Sequence, residues 1–241
     1  MQDVFPVVYS PGYNITAFGF EKLHPFDSTK YKRLWEFLHK KDVIDSRMTC
    51  HEPDGLPNKK WLLEVMGPSH LFLLNYSLYS SKCLELPVCF LPGWFGRSQV
   101  LEPMMLAMAG SVDAAYLAKE KGWAINLSGG YHHASRNTGE GFCIYPDITA
   151  ITHYLRKVYD SHLKIMIVDL DAHQGNGFER DLINDELTYI IDAYNYQVYP
   201  GDEYAKQAIK GKIELHSSVR DSQYLKKVTK DIDKGIEQFN P

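Results

Sequence analysis

The chain has 241 residues, of which 44% are hydrophobic and 23% charged, and its formal net charge is −4. This composition excludes a disordered chain, and the scattered basic residues argue against direct binding to nucleic-acid phosphates. The four cysteines form no CxxC pair, which favours a reducing compartment, here the nucleus and cytoplasm. The sequence has no run of about 18 apolar residues, so we expect no membrane span.

Short β-rich runs alternate with helical patterns along the chain. The predicted strands are 5–10, 86–92, 123–128, 164–170, 187–194 and 212–216, and the predicted helices are about 28–40, 98–122, 147–159, 177–183 and 221 onward. Alternation with unbroken apolar strands predicts a mostly parallel sheet covered by helices on both faces. In such sheets ligands bind in the loops that leave the carboxyl ends of the strands.

The last predicted helix carries an apolar stripe. Its members recur at helical spacing and are Leu225, Val228, Ile232, Ile236 and Phe239. The chain stops shortly after this helix, where the alternation predicts a further strand. The pattern therefore suggests a truncated domain.

A first polar cluster follows the predicted strand 123–128. The segment "NLSGGYHHASRNTGEGF" (126–142) presents His132 and His133 in a glycine-rich loop. Adjacent side chains point in different directions, so one site can use both histidines only if the loop bends, which glycine permits. A lone histidine is more often a satisfied structural group, but a pair here indicates function.

A second cluster ends the predicted strand 164–170. Asp169, Asp171 and His173 alternate, and residues two apart on an extended segment share a face. Two carboxylates and an imidazole suit a partial Zn²⁺ or Fe²⁺ site. The alternative is a structural Asp–His hydrogen-bond chain, which would leave the second carboxylate without a partner. We therefore favour an open metal site.

Together the two clusters indicate metal-assisted hydrolysis. A metal polarises a carbonyl, and a histidine takes a proton from water and returns it to the leaving amine. Asp169 and Asn176 are suited to orient the two imidazoles through their other ring nitrogens. The residues predict amide hydrolysis without identifying the amide.

The motifs resemble those of the zinc-dependent histone deacetylases. In chain order they are "SGGYHHA" (128–134), "GEGFCIYPD" (139–147) and "VDLDAHQGNG" (168–177). Two further segments, "YNITAFGFEKLHPFD" (13–27) and "VYPGDEYAKQAIKGKIEL" (198–215), are similar to the class IV branch of that family. The resemblance implies the arginase–deacetylase fold, an α/β fold with a three-layer α/β/α parallel sheet.

The resemblance also implies roles for individual residues. Asp171 and His173 match zinc ligands. His133 matches the general base and acid, and His132 matches a group that stabilises charge in the transition state. Asp169 matches the residue that orients His132 and helps to hold a potassium ion (K⁺).

Other matched positions concern His133 and the substrate. Asn176 faces His133 where many relatives carry aspartate, and this loss of charge should make His133 less basic. Gly141 and Phe142 match one wall of an acyl-lysine tunnel, and Tyr199 the opposite wall.

The chain also departs from the family pattern. The family's third zinc ligand, an aspartate, and its transition-state tyrosine, in a later "GGY" loop, should lie beyond Pro241. We therefore expect residues 1–241 to be a single deacetylase domain that lacks its C-terminal part.

The expected function is hydrolysis of acetyl or long-chain acyl groups from protein lysines. The expected partners are acylated-lysine proteins or histone tails and chromatin or other deacetylase complexes. An inactive fragment that acts only as a binding module is the main alternative. Polyamine deacetylases and arginase-type enzymes are less favoured, the latter because Gln174, Gly175 and Asn176 follow the "DAH" histidine where arginases need another aspartate.

Overall fold

The strands form two parallel three-stranded sheets in a computed structural model of the chain, which describes residues 5–16, 19, 21, 26–41, 43–44, 48–85 and 92–241. The first has the order β2-β1-β3 and the second the order β4-β5-β6, and every pairing is parallel. The strands are β1 (Phe5–Val8), β2 (Met48–His51), β3 (Ile125–Asn126), β4 (Ile165–Asp169), β5 (Thr188–Asn195) and β6 (Ile209–Leu215).

Helices precede or follow the strands. They are α1 (Lys30–Lys40), α2 (Lys59–Val65), α3 (Pro68–Leu73), α4 (Ser77–Leu84), α5 (Gly93–Gly96), α6 (Glu102–Lys121), α7 (Asp147–Val158), α8 (Asn176–Leu182) and α9 (Asp221–Phe239). A π-helical turn, Arg97–Leu101, joins α5 to α6, and 3₁₀ turns cover Pro11–Tyr13 and Ala205–Ala208. Parallel sheets flanked by helices confirm the predicted α/β class.

Two differences from the predicted elements have physical causes. Predicted strand 123–128 contracts to β3, because only Ile125 and Asn126 pair with β1. On α9, Val228 is buried while Leu225 and Ile236 are about half exposed or more, so the helix packs on β5 and β6 through only part of its apolar stripe. Almost all of predicted strand 86–92 lies outside the described residues.

The longest helical stretch belongs to the core. Within the described part of the chain, Gly93–Lys121 is the one helix whose length and composition would suit a membrane, and 56% of its most apolar window is buried inside the protein. Core helices of water-soluble domains meet the same criterion. The main core cluster includes Met104, Ala107 and Met108 of α6 with Tyr13 and Ile144.

Candidate active site

The two polar clusters meet at the carboxyl ends of β3 and β4. Asp147 holds the loop after β3 in place: its buried carboxylate accepts the N–H groups of Gly130 (2.7 Å) and Tyr131 (2.8 Å) and the hydroxyl of Ser111 (2.7 Å). This loop therefore turns around a carboxylate fixed to two helices, α6 and α7, and delivers His132 and His133 together. Their ring centroids lie 4.0 Å apart.

The segment after β4 is held by hydrogen bonds from aspartate side chains and not by strand pairing. β4 ends at Asp169, whose Oδ1 accepts the Asp171 N–H at 3.0 Å, and Asp171 Oδ1 accepts the His173 N–H at 2.8 Å. Such bonds from a side chain to the N–H two residues on are typical of aspartate in turns. The expected extended geometry is therefore replaced by two successive turns.

His132 is paired with a carboxylate. Its Nδ1 donates to Asp169 Oδ2 at 2.8 Å, and its Nε2 lies 3.8 Å from Asp171 Oδ1. Burial opposes protonation of His132, but the hydrogen bond and charge of Asp169 outweigh it and raise the histidine pKa. His132 is thus suited to carry positive charge beside Asp171.

His133 is paired with an amide instead. Its Nδ1 lies 2.8 Å from Asn176 Oδ1 at the start of α8. Burial and the neighbouring His132 lower the pKa of His133 to about 4, and the bond to Asn176 offsets this only in part. The two adjacent histidines therefore have pKa values shifted in opposite directions, so their surroundings suit them to different roles.

Two of the three predicted tunnel residues, Gly141 and Tyr199, lie against His133. Gly141 has φ +53°, and a Cβ there would lie 2.4 Å from Cδ2 of His133, so only glycine fits against this ring. Phe142 follows with φ +67°. On another side, the Tyr199 ring centroid lies 5.0 Å from that of His133 and 6.3 Å from that of His173.

Asp171 and His173 offer two donor atoms to a metal ion. Asp171 Oδ1 and His173 Nδ1 lie 3.2 Å apart, close to the roughly 3.3 Å between two ligands about 2.0 Å from a tetrahedral zinc. Both side chains are about half exposed, so an ion could reach them. Their oxygen and nitrogen atoms suit zinc. No group of three or more His, Cys, Asp or Glu is arranged as a metal site among the described residues, so these two make only part of a coordination shell.

Two buried carboxyl groups lie behind the site, and the sequence did not point to either. Asp192 Oδ2 accepts the Gly175 N–H at 2.9 Å, and Glu179 Oε2 accepts from the Gln174 amide at 2.7 Å. Asp192 Oδ1 and Glu179 Oε1 accept no N–H. Burial and the hydrogen bond to Glu179 raise the pKa of Asp192, which favours its neutral form, and the O–H of that form can donate to Glu179.

Gln174 connects the site to the loop that carries Tyr199. Its amide donates to Asp202 O at 3.0 Å and its Oε1 accepts the Asp202 N–H at 2.9 Å. Arg180 also pairs with the Asp202 carboxylate at 2.5 Å. The only sequence signal for this role is position, since Gln174 directly follows His173.

Sequence comparisons place the chain among deacetylases. The protein-family model described as "Histone deacetylase domain" matches residues 24–241 of the sequence. Histone deacetylase 2 of Arabidopsis thaliana is 37% identical over 238 residues, which cover 98% of this chain and 60% of that protein. Acetoin utilization protein AcuC of Bacillus subtilis is 24% identical over 218 residues, covering 85% of this chain and 53% of AcuC. The chain thus spans little more than half the length of these two relatives.

Proposed function

The chain belongs to the histone deacetylase family, and from that premise we propose that it forms part of a zinc-dependent lysine deacylase of the class IV, histone deacetylase 11 type. The substrates would be protein lysines, including those of histone tails, that carry acetyl or longer acyl groups on the ε-amine. The observation that carries the proposal is the histidine pair. His132 and His133 use Nδ1 for Asp169 and Asn176, so Nε2 of each ring is left for the reaction.

The residues of the chain divide the chemistry between them. His133 Nε2 would take the proton of the attacking water and later return it to the leaving amine. His132, whose pKa is raised beside Asp169, would stabilise the negative charge that develops on the carbonyl oxygen. Asp171 and His173 would hold zinc, which when bound polarises the carbonyl and lowers the pKa of water.

The acyl-lysine would pass between two walls beside His133. Gly141 contributes a surface without a side chain, Phe142 follows it, and Tyr199 provides the aromatic ring on the other side. A narrow apolar passage would hold the uncharged acylated side chain and exclude water from the leaving amine. Potassium would bind near Asp169.

An inactive fragment that acts as a binding module is a second candidate function. Two observations support it: only two candidate zinc ligands are placed together among the residues described, and apolar side chains are exposed on the outer strands. Ile125 on β3 and Val168 on β4 are 44% and 37% exposed. Further strands paired with β3 and β4 would cover these apolar side chains. A third ligand on such a strand would complete the zinc site.

The test compares the chain with a version extended by the coding sequence downstream of Pro241. We expect the extended protein to bind about one zinc per chain and to deacylate acetyl- or myristoyl-lysine peptides in a chelator-sensitive way. His133→Gln should abolish turnover. The matched control is His162→Gln, because the His162 side chain is 85% exposed and outside the site. An extended protein without zinc or activity would contradict the proposal, whereas full zinc and activity in the short chain would exclude the inactive fragment.

Cellular setting is also part of the proposal. The composition and the unpaired cysteines among the described residues support the nucleus and cytoplasm as the location. Chromatin or other deacetylase complexes would be the partners. Neither direct nucleic-acid binding nor a membrane span is proposed.

A further inference from the structure

We propose that Glu140 is a positioning residue that fixes the tautomer of His133 by fixing the orientation of Asn176. The sequence did not single out Glu140. The inference deepens the proposed function in one respect only: a set tautomer matters because His133 is the proposed base.

The three side chains form one hydrogen-bonded series. His133 Nδ1 lies 2.8 Å from Asn176 Oδ1, and Asn176 Nδ2 donates to Glu140 Oε1. His133 and Asn176 are both buried, at 5% and 2% exposure, and Glu140 is half-buried at the edge of the site. The amide therefore separates a buried imidazole from a carboxylate that reaches solvent.

The carboxylate determines the direction of every bond in the series. An amide side chain alone is ambiguous, since it presents a donor at one end and an acceptor at the other. A carboxylate only accepts, so the Asn176 end that faces Glu140 must be the NH₂ group. The end that faces His133 is then the oxygen, which only accepts, so His133 carries its proton on Nδ1. Nε2 is left with its lone pair toward the site.

The backbone holds Glu140 in this position. Residues 140–143 form a tight turn in which Gly141 and Phe142 both have positive φ, +53° and +67°, and Cys143 N–H donates to Glu140 O at 2.9 Å. The same turn presses Gly141 against the His133 ring. One turn thus supplies both a wall of the proposed tunnel and the carboxylate that orients Asn176.

The series controls the tautomer without placing a charge next to His133. An aspartate in direct contact would fix the same tautomer but would also favour the protonated ring. Because the Asn176 amide lies between them, the Glu140 carboxylate is separated from the His133 ring by one side chain. His132, which contacts Asp169 directly, shows the other arrangement within the same site.

The test reads the protonated nitrogen of His133 by ¹⁵N NMR of the imidazoles, at a pH where the ring is neutral. The His133 signals are assigned by their loss in His133→Gln. We expect roughly a tenfold excess of the Nδ1–H form in the unchanged chain, the ratio that one hydrogen bond supports. In Glu140→Gln the introduced amide can donate or accept, so Asn176 can turn over and the ratio should fall toward one. Glu186→Gln, at an exposed position, is the matched control and should leave the ratio unchanged.

A double variant separates positioning from a general structural effect. In Glu140→Gln/Asn176→Asp the introduced carboxylate can only accept, both from His133 and from the introduced amide, so the excess of the Nδ1–H form should return. The His132 signals report on folding, because the His132–Asp169 bond is untouched and should stay Nδ1–H throughout. An unchanged ratio in Glu140→Gln, or a lowered ratio that the double variant does not restore, would overturn the inference. The measurement needs no zinc, substrate or turnover, so a failed deacylation assay would leave it standing.

Discussion

Asp169 and Asp192 are register partners on the adjacent parallel strands β4 and β5. Asp169 accepts a hydrogen bond from His132, while Asp192 is fully buried, and burial and the neighbouring Glu179 raise its pKa. Two carboxylates side by side in a sheet repel each other, so the charge of Asp169 raises the pKa of Asp192 further. The surroundings of Asp192 therefore favour its neutral form.

The neutral form that burial favours for Asp192 predicts that Asp192→Asn is tolerated. The introduced amide can accept from Gly175 N–H and donate to Glu179, as the protonated carboxyl does. Because the folded state raises the pKa of Asp192, the wild type loses stability as the pH rises and the unfolded chain ionises. The advantage of Asp192→Asn should then grow from about pH 5 to about pH 9 in urea unfolding experiments.

Asp192→Ala is the control for that experiment. It removes the same titrating carboxyl, so its stability relative to wild type should change with pH as that of Asp192→Asn does. It also leaves Gly175 N–H without its buried acceptor, so it should be about 1–3 kcal/mol less stable than Asp192→Asn at every pH. A cost for Asp192→Asn equal to that of Asp192→Ala would mean that Asp192 is buried as an anion.

The low pKa of His133 predicts an acid-sensitive fold. The unfolded chain protonates this ring near the ordinary histidine pKa of 6.5, whereas burial lowers the pKa of His133 in the folded protein to about 4. The stabilising contribution of the neutral ring is therefore complete above about pH 6.5 and decreases as the pH falls toward 4, by about 3 kcal/mol. Urea unfolding of wild type and His133→Gln should show the steeper loss in the wild type. If the stabilities of the two proteins fall in parallel with pH, His133 does not have a lowered pKa.

Asn176→Asp should make His133 more basic. A carboxylate in contact with the ring typically raises a histidine pKa by about 1–2 units. The same substitution sets the new carboxylate against Glu140, so the double variant with Glu140→Gln should fold more stably than the single one. An NMR titration measures the pKa in this chain, and pH–rate profiles measure it in the extended protein. If neither the pKa nor the acidic limb of the profile moves, the assigned role of Asn176 is wrong.

Gln174→Leu should loosen the loop that carries Tyr199. The substitution removes the partners of Asp202 N–H and O and of Glu179 Oε2 in a buried setting, at a cost of about 2–4 kcal/mol. Gln197→Leu is the matched control, because Gln197 also joins two loops but is exposed and should cost less than about 1 kcal/mol. Equal losses in thermal or urea unfolding would show that the burial of Gln174 has no special effect.

Gly177 is a position where a single methyl group should disrupt the site. A Cβ there would lie 2.4 Å from the His133 carbonyl carbon and the Ala134 carbonyl oxygen, and backbone atoms cannot move aside as a side chain can. Gly177→Ala should therefore cost about 3 kcal/mol or more. Gly96→Ala, which meets nothing within 4 Å in a helical segment, should be neutral or slightly stabilising. Circular dichroism melts of the two variants give the comparison.

Much of the fold was predictable because its signals are local. Apolar runs and helical spacing located five of the six strands of the two sheets. Among the described helices of eight residues or fewer, α8 was predicted, whereas α2, α3, α4 and α5 were not, because so few residues give no clear helical period. The exposure of Leu225 and Ile236 also could not be predicted, because a stripe of apolar residues does not show how much of it a neighbour covers.

The site was predictable where its partners are close in sequence or belong to a motif. His132, His133, Asp169 and Asn176 were singled out, and the structure pairs them as hydrogen-bond partners, while their catalytic roles stay predictions. Glu140, Gln174 and Asp192 were missed because a turn, a loop contact and a strand register bring them to the site. None of these features leaves a mark in the spacing of residues.

The two successive turns after β4 make the site sensitive to length rather than to composition. Each N–H that they fix is bonded to the carboxylate two residues earlier, whereas Leu170 and Ala172 contribute no side chain to these bonds. Many residues should be accepted at 170 and 172. A one-residue insertion or deletion at 170 would disrupt the turn between Asp169 and Asp171, and one at 172 would separate Asp171 from His173. In a library of variants, tolerance of exchanges together with intolerance of frame-preserving indels would mark this segment.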